Sequence, residues 1–246
     1  MRILTKYIIS ARSLIFVLFG VVLNLHQAYA DCRDTILIHH VNAYLRTLNK
    51  VAIEFTQFSE GKEYDGVLLI EKPNNFRVNY ESSYPLLIVG GKNYLSIYDF
   101  ELEELSRISA KENPFSFLLN DNINRMTMHD FKMNQCVRNN NFMKIELQHN
   151  DTEKEIELVF DNNPMKITNI KIRENNTEYS NKFFHRQINE DNSVKTEDIK
   201  SWDIDIKIRK INFLTYIPNE FFIIKNPSIS GGERKITNEE IIKKVK

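Results

Sequence analysis

Alternation constrains this chain more than any other feature. Between residues 50 and 213, short runs switch between apolar and polar side chains and break at turn residues. In Asp203–Phe213, Ile204, Ile206, Ile208 and Ile211 oppose Asp205, Lys207 and Arg209. A period of two marks a strand with one buried face. The odd interval from Ile208 to Ile211 predicts a bulge. Phe76-Arg77-Val78-Asn79-Tyr80 alternates as strictly, with Phe76, Val78 and Tyr80 on one face. The runs Val51–Phe58, Gly66–Glu71, Leu86–Val89, Tyr94–Tyr98, 102–109, Met126–Met133, Asn141–Gln148, Glu155–Asp161, Ile167–Glu174 and Phe221–Ile224 also read as strands. Pro73-Asn74-Asn75, Gly90-Gly91-Lys92-Asn93 and Asn162-Asn163-Pro164 supply turn-length links. About ten strands at such spacing imply antiparallel pairing in one large curved sheet or open barrel.

Two segments depart from that period. Residues 34–49 place Leu37, Val41, Tyr44, Leu45 and Leu48 on one helical stripe, with Asp34 as a cap or first-turn acid. Asn113-Pro114-Phe115-Ser116-Phe117-Leu118-Leu119 predicts a short helix, with Asn at the cap and Pro at the first helical position. It is apolar on most sides and has to be buried. The fold expected is mainly β with α, an unclosed antiparallel β-barrel covered by helices. Residues 175–202 are polar, and 228–246 read as a polar, frayed or weakly helical C-terminal tail.

The first thirty residues form a segment apart. Arg2, Lys6 and Arg12 precede the apolar run Leu14–Leu25, and Ala28-Tyr29-Ala30 puts small residues where a signal peptidase reads. This is the layout of a secretory signal cleaved after about Ala30. The run is short of the roughly 20 apolar residues a spanning helix needs. Three domains are expected: a signal peptide (1–30), a main domain (31–227) and the tail (228–246). Cleavage would change the net charge from zero to −3. With no basic stripe, nucleic acid is excluded as a partner. Asp31 directly before Cys32 argues against a lipid anchor at that cysteine. Export to an oxidising compartment permits a bridge between Cys32 and Cys136, the chain's two cysteines, and their being unrelated stands equally open.

Nothing in the sequence marks a catalytic centre. His39, His40, His129, His149 and His185 show no zinc spacing, and no nucleophile elbow, phosphate loop or C-x-x-C motif is present. The expectation is a non-enzyme with no cofactor and no metal.

Residues 55–98 carry a string of short motifs. Phe55-Thr56-Gln57 leads to Gly66 and the strand Val67–Ile70. Lys72-Pro73 precedes Phe76-Arg77-Val78-Asn79-Tyr80. Ile88-Val89, Gly91-Lys92, Tyr98-Asp99 and Glu101-Leu102 follow. In order and spacing this resembles the periplasmic outer-membrane lipoprotein carrier (LolA) family. Pro114-Phe115 with Leu118-Leu119 resembles the family's short lid helix, and Phe221-Phe222-Ile223 before Pro227 its closing strand. The likeness covers roughly residues 34–229, and 175–202 is longer than the family norm.

The resemblance implies an unclosed barrel under a helical lid. It implies a chaperone that takes acylated lipoproteins from an inner-membrane ABC transporter complex to an outer-membrane lipoprotein acceptor, acting as a monomer in outer-membrane biogenesis. The acyl-chain cavity would be lined by Phe55, Leu68, Ile70, Phe76, Val78, Tyr80 and Ile88. Leu37, Val41, Tyr44, Phe115 and Leu118 would form the lid. Lys72, where the family usually has an Arg that bonds the lid, would be the gate. A lipid-sensing envelope regulator of the same fold and a periplasmic enzyme are the alternatives.

Overall fold

The computed structural model describes residues 30–31, 35–59, 61–81, 85–91, 93–109, 115–119, 131–151, 154–174, 202–225 and 233–245. The chain divides into two compact units, Met1–Ala30 and Asp31–Lys246, and the fold is that of the second. The expected signal peptide, apart from Ala30, lies outside the described residues, as do 175–201.

The alternating runs form strands of one antiparallel sheet: β1 (Lys50–Ser59), β2 (Lys62–Glu71), β3 (Asn75–Tyr80), β4 (Leu86–Gly90), β5 (Tyr94–Asp99), β6 (Glu104–Ser109), β7 (Phe131–Arg138), β8 (Phe142–His149), β9 (Glu155–Asn162), β10 (Met165–Glu174) and β11 (Trp202–Phe213). Their spatial order is β7-β8-β9-β10-β11-β1-β2-β3-β4-β5-β6. Every neighbouring pair is consecutive in sequence except β11–β1, which joins the last strand to the first. Sequence neighbours β6 and β7 therefore lie at opposite ends of this eleven-strand order, and the sheet stays unclosed. The run expected at Met126–Met133 is β7 from Phe131, and 126–130 lie outside the described residues.

Helix α1 (Thr35–Thr47) precedes the sheet, and α2 (Ser116–Leu119) lies in the connection from β6 to β7. The stripe read on α1 is the buried one: Val41, Leu45 and Leu48 are fully buried, and His39 and His40 point to solvent. Bulging in β11 falls where the period breaks. Ile208 pairs with Phe55 and Lys210 with Glu54, leaving Arg209 as the extra residue.

The two parities of the sheet divide the core. Phe55, Leu68, Ile70, Phe76 and Val78 belong to one large cluster on the concave face. Ala52, Val67 and Leu69, one position out of phase, belong to a separate cluster on the convex face with Ile217, Phe221, Ile241 and Val245.

The C-terminal segment differs from expectation. Phe221–Ile224 is not a strand. Pro218 sets up a 3₁₀ turn at Asn219–Phe222 that buries Phe221. Residues Asn238–Val245 form a third helix, α3, which buries Ile241 and Val245 four residues apart on one side. Polar side chains on the outer face of β3 hold this segment. Arg77 Nη1 donates to the Phe221 carbonyl at 3.3 Å, with its guanidinium 5.5 Å from the Phe221 ring centroid. Asn79 Nδ2 donates to Ile236 O at 3.3 Å and Asn238 Oδ1 at 2.9 Å, and Asn238 N–H donates to Glu81 Oε2 at 3.0 Å. Burial lowers the Arg77 pKa to about 10, with the Glu233 carboxylate opposing.

Candidate functional site

The concave face of β1–β5 is built in rungs. Directly opposed residues in an antiparallel ladder share a face. One rung runs Val51, Ile70, Phe76, Gly90, Leu95; the next runs Ile53, Leu68, Val78, Ile88, Ile97; a third runs Phe55, Gly66, Tyr80, Leu86. All seven residues expected to line a cavity therefore stand on three adjacent rungs, and all seven are buried.

Two glycines let the aromatic rings lie down on the sheet. A Cβ on Gly66 would fall inside the ring of Phe55, its cross-strand partner, and one on Gly90 inside the ring of Phe76. Each Phe thus covers the strand beside its own. Only a residue without a side chain permits that approach.

Of the expected lid residues, Val41, Phe115 and Leu118 belong to the same cluster, and Tyr44 packs against it. Phe115 meets Phe55 with ring centroids 6.4 Å apart, and Tyr44 stands edge-on to Phe160 at 6.1 Å. Leu37 is on α1, and its side chain lies outside the described residues. Phe117, not singled out in the sequence, is fully buried beside them.

Lys72 follows the last residue of β2 and clips the end of α1. Its Nζ donates to Leu45 O at 2.7 Å, and its backbone N–H donates to Asn49 O at 2.9 Å. The Leu45 carbonyl also accepts the Leu48 N–H at 3.2 Å, and the end of a helix carries partial negative charge, which suits an ammonium. The residue expected as a gate thus bonds the covering helix.

Gln57 was quoted in the sequence string without a role. By parity it belongs with Val51, Ile53 and Phe55, so a polar side chain occupies an inward position. It pairs with Tyr64 on β2 and Ile206 on β11 and is 1% exposed. Tyr80 Oη donates to its Oε1 at 2.7 Å, and its Nε2 has no partner among the described residues. Burial raises the Tyr80 pKa, so the phenol stays a neutral donor. The interruption of an apolar parity was the signal that would have found it.

Other motif residues are structural. Asp99 Oδ1 accepts the N–H groups of Glu101 and Leu102 at 2.9 and 3.0 Å, which shapes the β5–β6 turn. Cys136 is inward-facing and disulfide-bonded, and the chain's other cysteine, Cys32, lies outside the described residues. Among the described residues, no group of three or more His, Cys, Asp or Glu is placed to hold a metal ion. None of their helices is long and apolar enough to cross a membrane.

A protein of Rickettsia prowazekii (strain Madrid E), described as uncharacterized, is 36% identical over 219 residues, covering 89% of each chain. A solved uncharacterized conserved protein from Thermus thermophilus superposes with a TM-score of 0.43 at 10% identity, over 76% of this chain and 93% of its own. A LolA superfamily protein from Nitrosomonas europaea gives 0.37 at 8% identity, over 75% and 96%. The family model described as outer membrane lipoprotein carrier protein LolA matches residues 46–197. The span of that match, over most of the chain, shows that this protein belongs to the LolA family.

Proposed function

We propose that this protein carries acylated lipoproteins through the periplasm, with their acyl chains held on the concave face in place of α1 and α2. One observation carries the reading. An apolar face with two rungs across five strands and a third across four packs in one cluster with residues of two helical segments, one of them clipped by a lysine to a last-turn carbonyl.

The magnitudes allow exchange. Uncovering the face costs about 1.5–3 kcal/mol for each apolar lid side chain exposed. An acyl chain of about 15 methylenes returns about 12 kcal/mol at about 0.8 kcal/mol each. One or two chains thus offset the uncovering of several lid residues, and neither state lies far below the other. A carrier has to both load and release, so it needs that balance.

In this reading the signal peptide is removed after about Ala30. Cargo arrives from an inner-membrane ABC transporter complex and leaves to an outer-membrane acceptor. The test is release from spheroplasts: purified mature protein is added and the supernatant is probed for acylated lipoproteins. A soluble complex with lipoprotein is expected. Lipoproteins that stay with the spheroplasts would overturn the proposal.

A further inference from the structure

We infer that Gln57 and Tyr80 form a carbonyl-binding subsite within the concave face, which takes an acyl-ester carbonyl of the cargo's lipid. The inference rests on the carrier reading and adds the group that is recognised.

The register places the subsite. Gln57 heads a rung that continues through Ile206, Ile170, Leu158, Ile145 and Cys136. An amide at the head of that apolar row is buried to 1% exposure. Its oxygen is occupied by the Tyr80 hydroxyl at 2.7 Å, which orients the group so that what remains free is the Nε2 donor. Leaving a buried donor unpaired is a standing cost that an apolar residue of like size would avoid. A ligand acceptor removes the cost.

The acyl chain brings such an acceptor. Its ester carbonyl enters with the hydrocarbon and loses its water as it does so, so it needs a donor inside. An amide and a phenol are uncharged, which suits a neutral carbonyl and not a phosphate headgroup. Phe55 meets Tyr80 edge-on at 5.6 Å and Phe115 at 6.4 Å, so the subsite opens when α2 moves.

The experiment titrates the mature protein with two synthetic peptides. One carries a diacylglyceryl group on its cysteine, and the other carries the dialkyl-ether analogue, equal in hydrocarbon but without ester carbonyls. The unsubstituted protein is expected to prefer the ester peptide by about fivefold, the effect of one hydrogen bond. Gln57→Leu should abolish the preference by weakening ester binding alone, and Tyr80→Phe should reduce it. Equal affinities for the two peptides in the unsubstituted protein, a comparison that needs no variant to fold, would overturn the subsite and leave the carrier reading intact. An equal loss for both peptides in Gln57→Leu would do the same. Failure of the unsubstituted protein to bind either peptide would overturn both.

Discussion

Strand β3 faces two ways, and its two faces are covered by different means. Phe76, Val78 and Tyr80 look inward into the cluster that also holds residues of α1 and α2, and Arg77 and Asn79, with Glu81 just past the strand, bond the C-terminal segment. The outer cover is pinned by hydrogen bonds at fixed register positions, each with a stated donor and acceptor. Such bonds are directional, and no other partner satisfies them as well. The inner cover is held mostly by apolar contact, which is non-directional and proportional to area. Any apolar surface of similar size serves, an acyl chain included. On the proposed carrier function, one sheet thus has a cover that stays and a cover that is exchanged.

The largest test of that contrast is on the inner face. Gly90→Ala sets a methyl group inside the Phe76 ring, and overpacking there is expected to cost about 3 kcal/mol. Urea denaturation would read it as a lower midpoint at unchanged slope. An unchanged midpoint would mean that the ring is free to move and that the inner face is not close-packed.

The outer face is probed by Arg77→Ala, which removes the bond to Phe221 O and the stacking on its ring. A loss of about 2 kcal/mol is expected, with faster proteolysis confined to the segment after residue 214. Binding of an acylated peptide should not change. If binding weakens along with stability, the two covers are coupled and the contrast fails.

The smallest effect is expected at Lys72. Lys72→Leu deletes the bond to Leu45 O, which exists only while α1 covers the face. The empty, covered state then loses about 1 kcal/mol relative to the loaded one, and cargo release slows about fivefold. A two-step transfer assay to an outer-membrane acceptor would show retention. Transfer at the original rate would remove Lys72 from the gating role.

Much of this was legible before the structure. The parity of β3 already separated Phe76, Val78 and Tyr80 from Arg77 and Asn79, because a pleated strand has only two faces. The odd interval between Ile208 and Ile211 located the bulge at Arg209 for the same reason. What parity leaves undetermined is the partner of each face. The string places Arg77 on the face opposite Phe76 and no more, and its burial depends on a segment that returns from 144 residues further on. Gln57 was visible as a polar residue in an apolar phase, but its free Nε2 follows from where Tyr80 stands on a strand two ladders away.

The sequence by itself determined the strands as far as Phe213, the helix stripe, the turns and the family likeness, since these follow from local period and from motifs in order along the chain. Only the tertiary structure decided that Lys72 meets Leu45, that the rings of Phe55 and Phe76 lie over Gly66 and Gly90, and that α3 closes the convex face. Each of these joins residues from different elements. Which elements meet is set by the sum of many small burial terms over the whole sheet, and no local pattern records that sum.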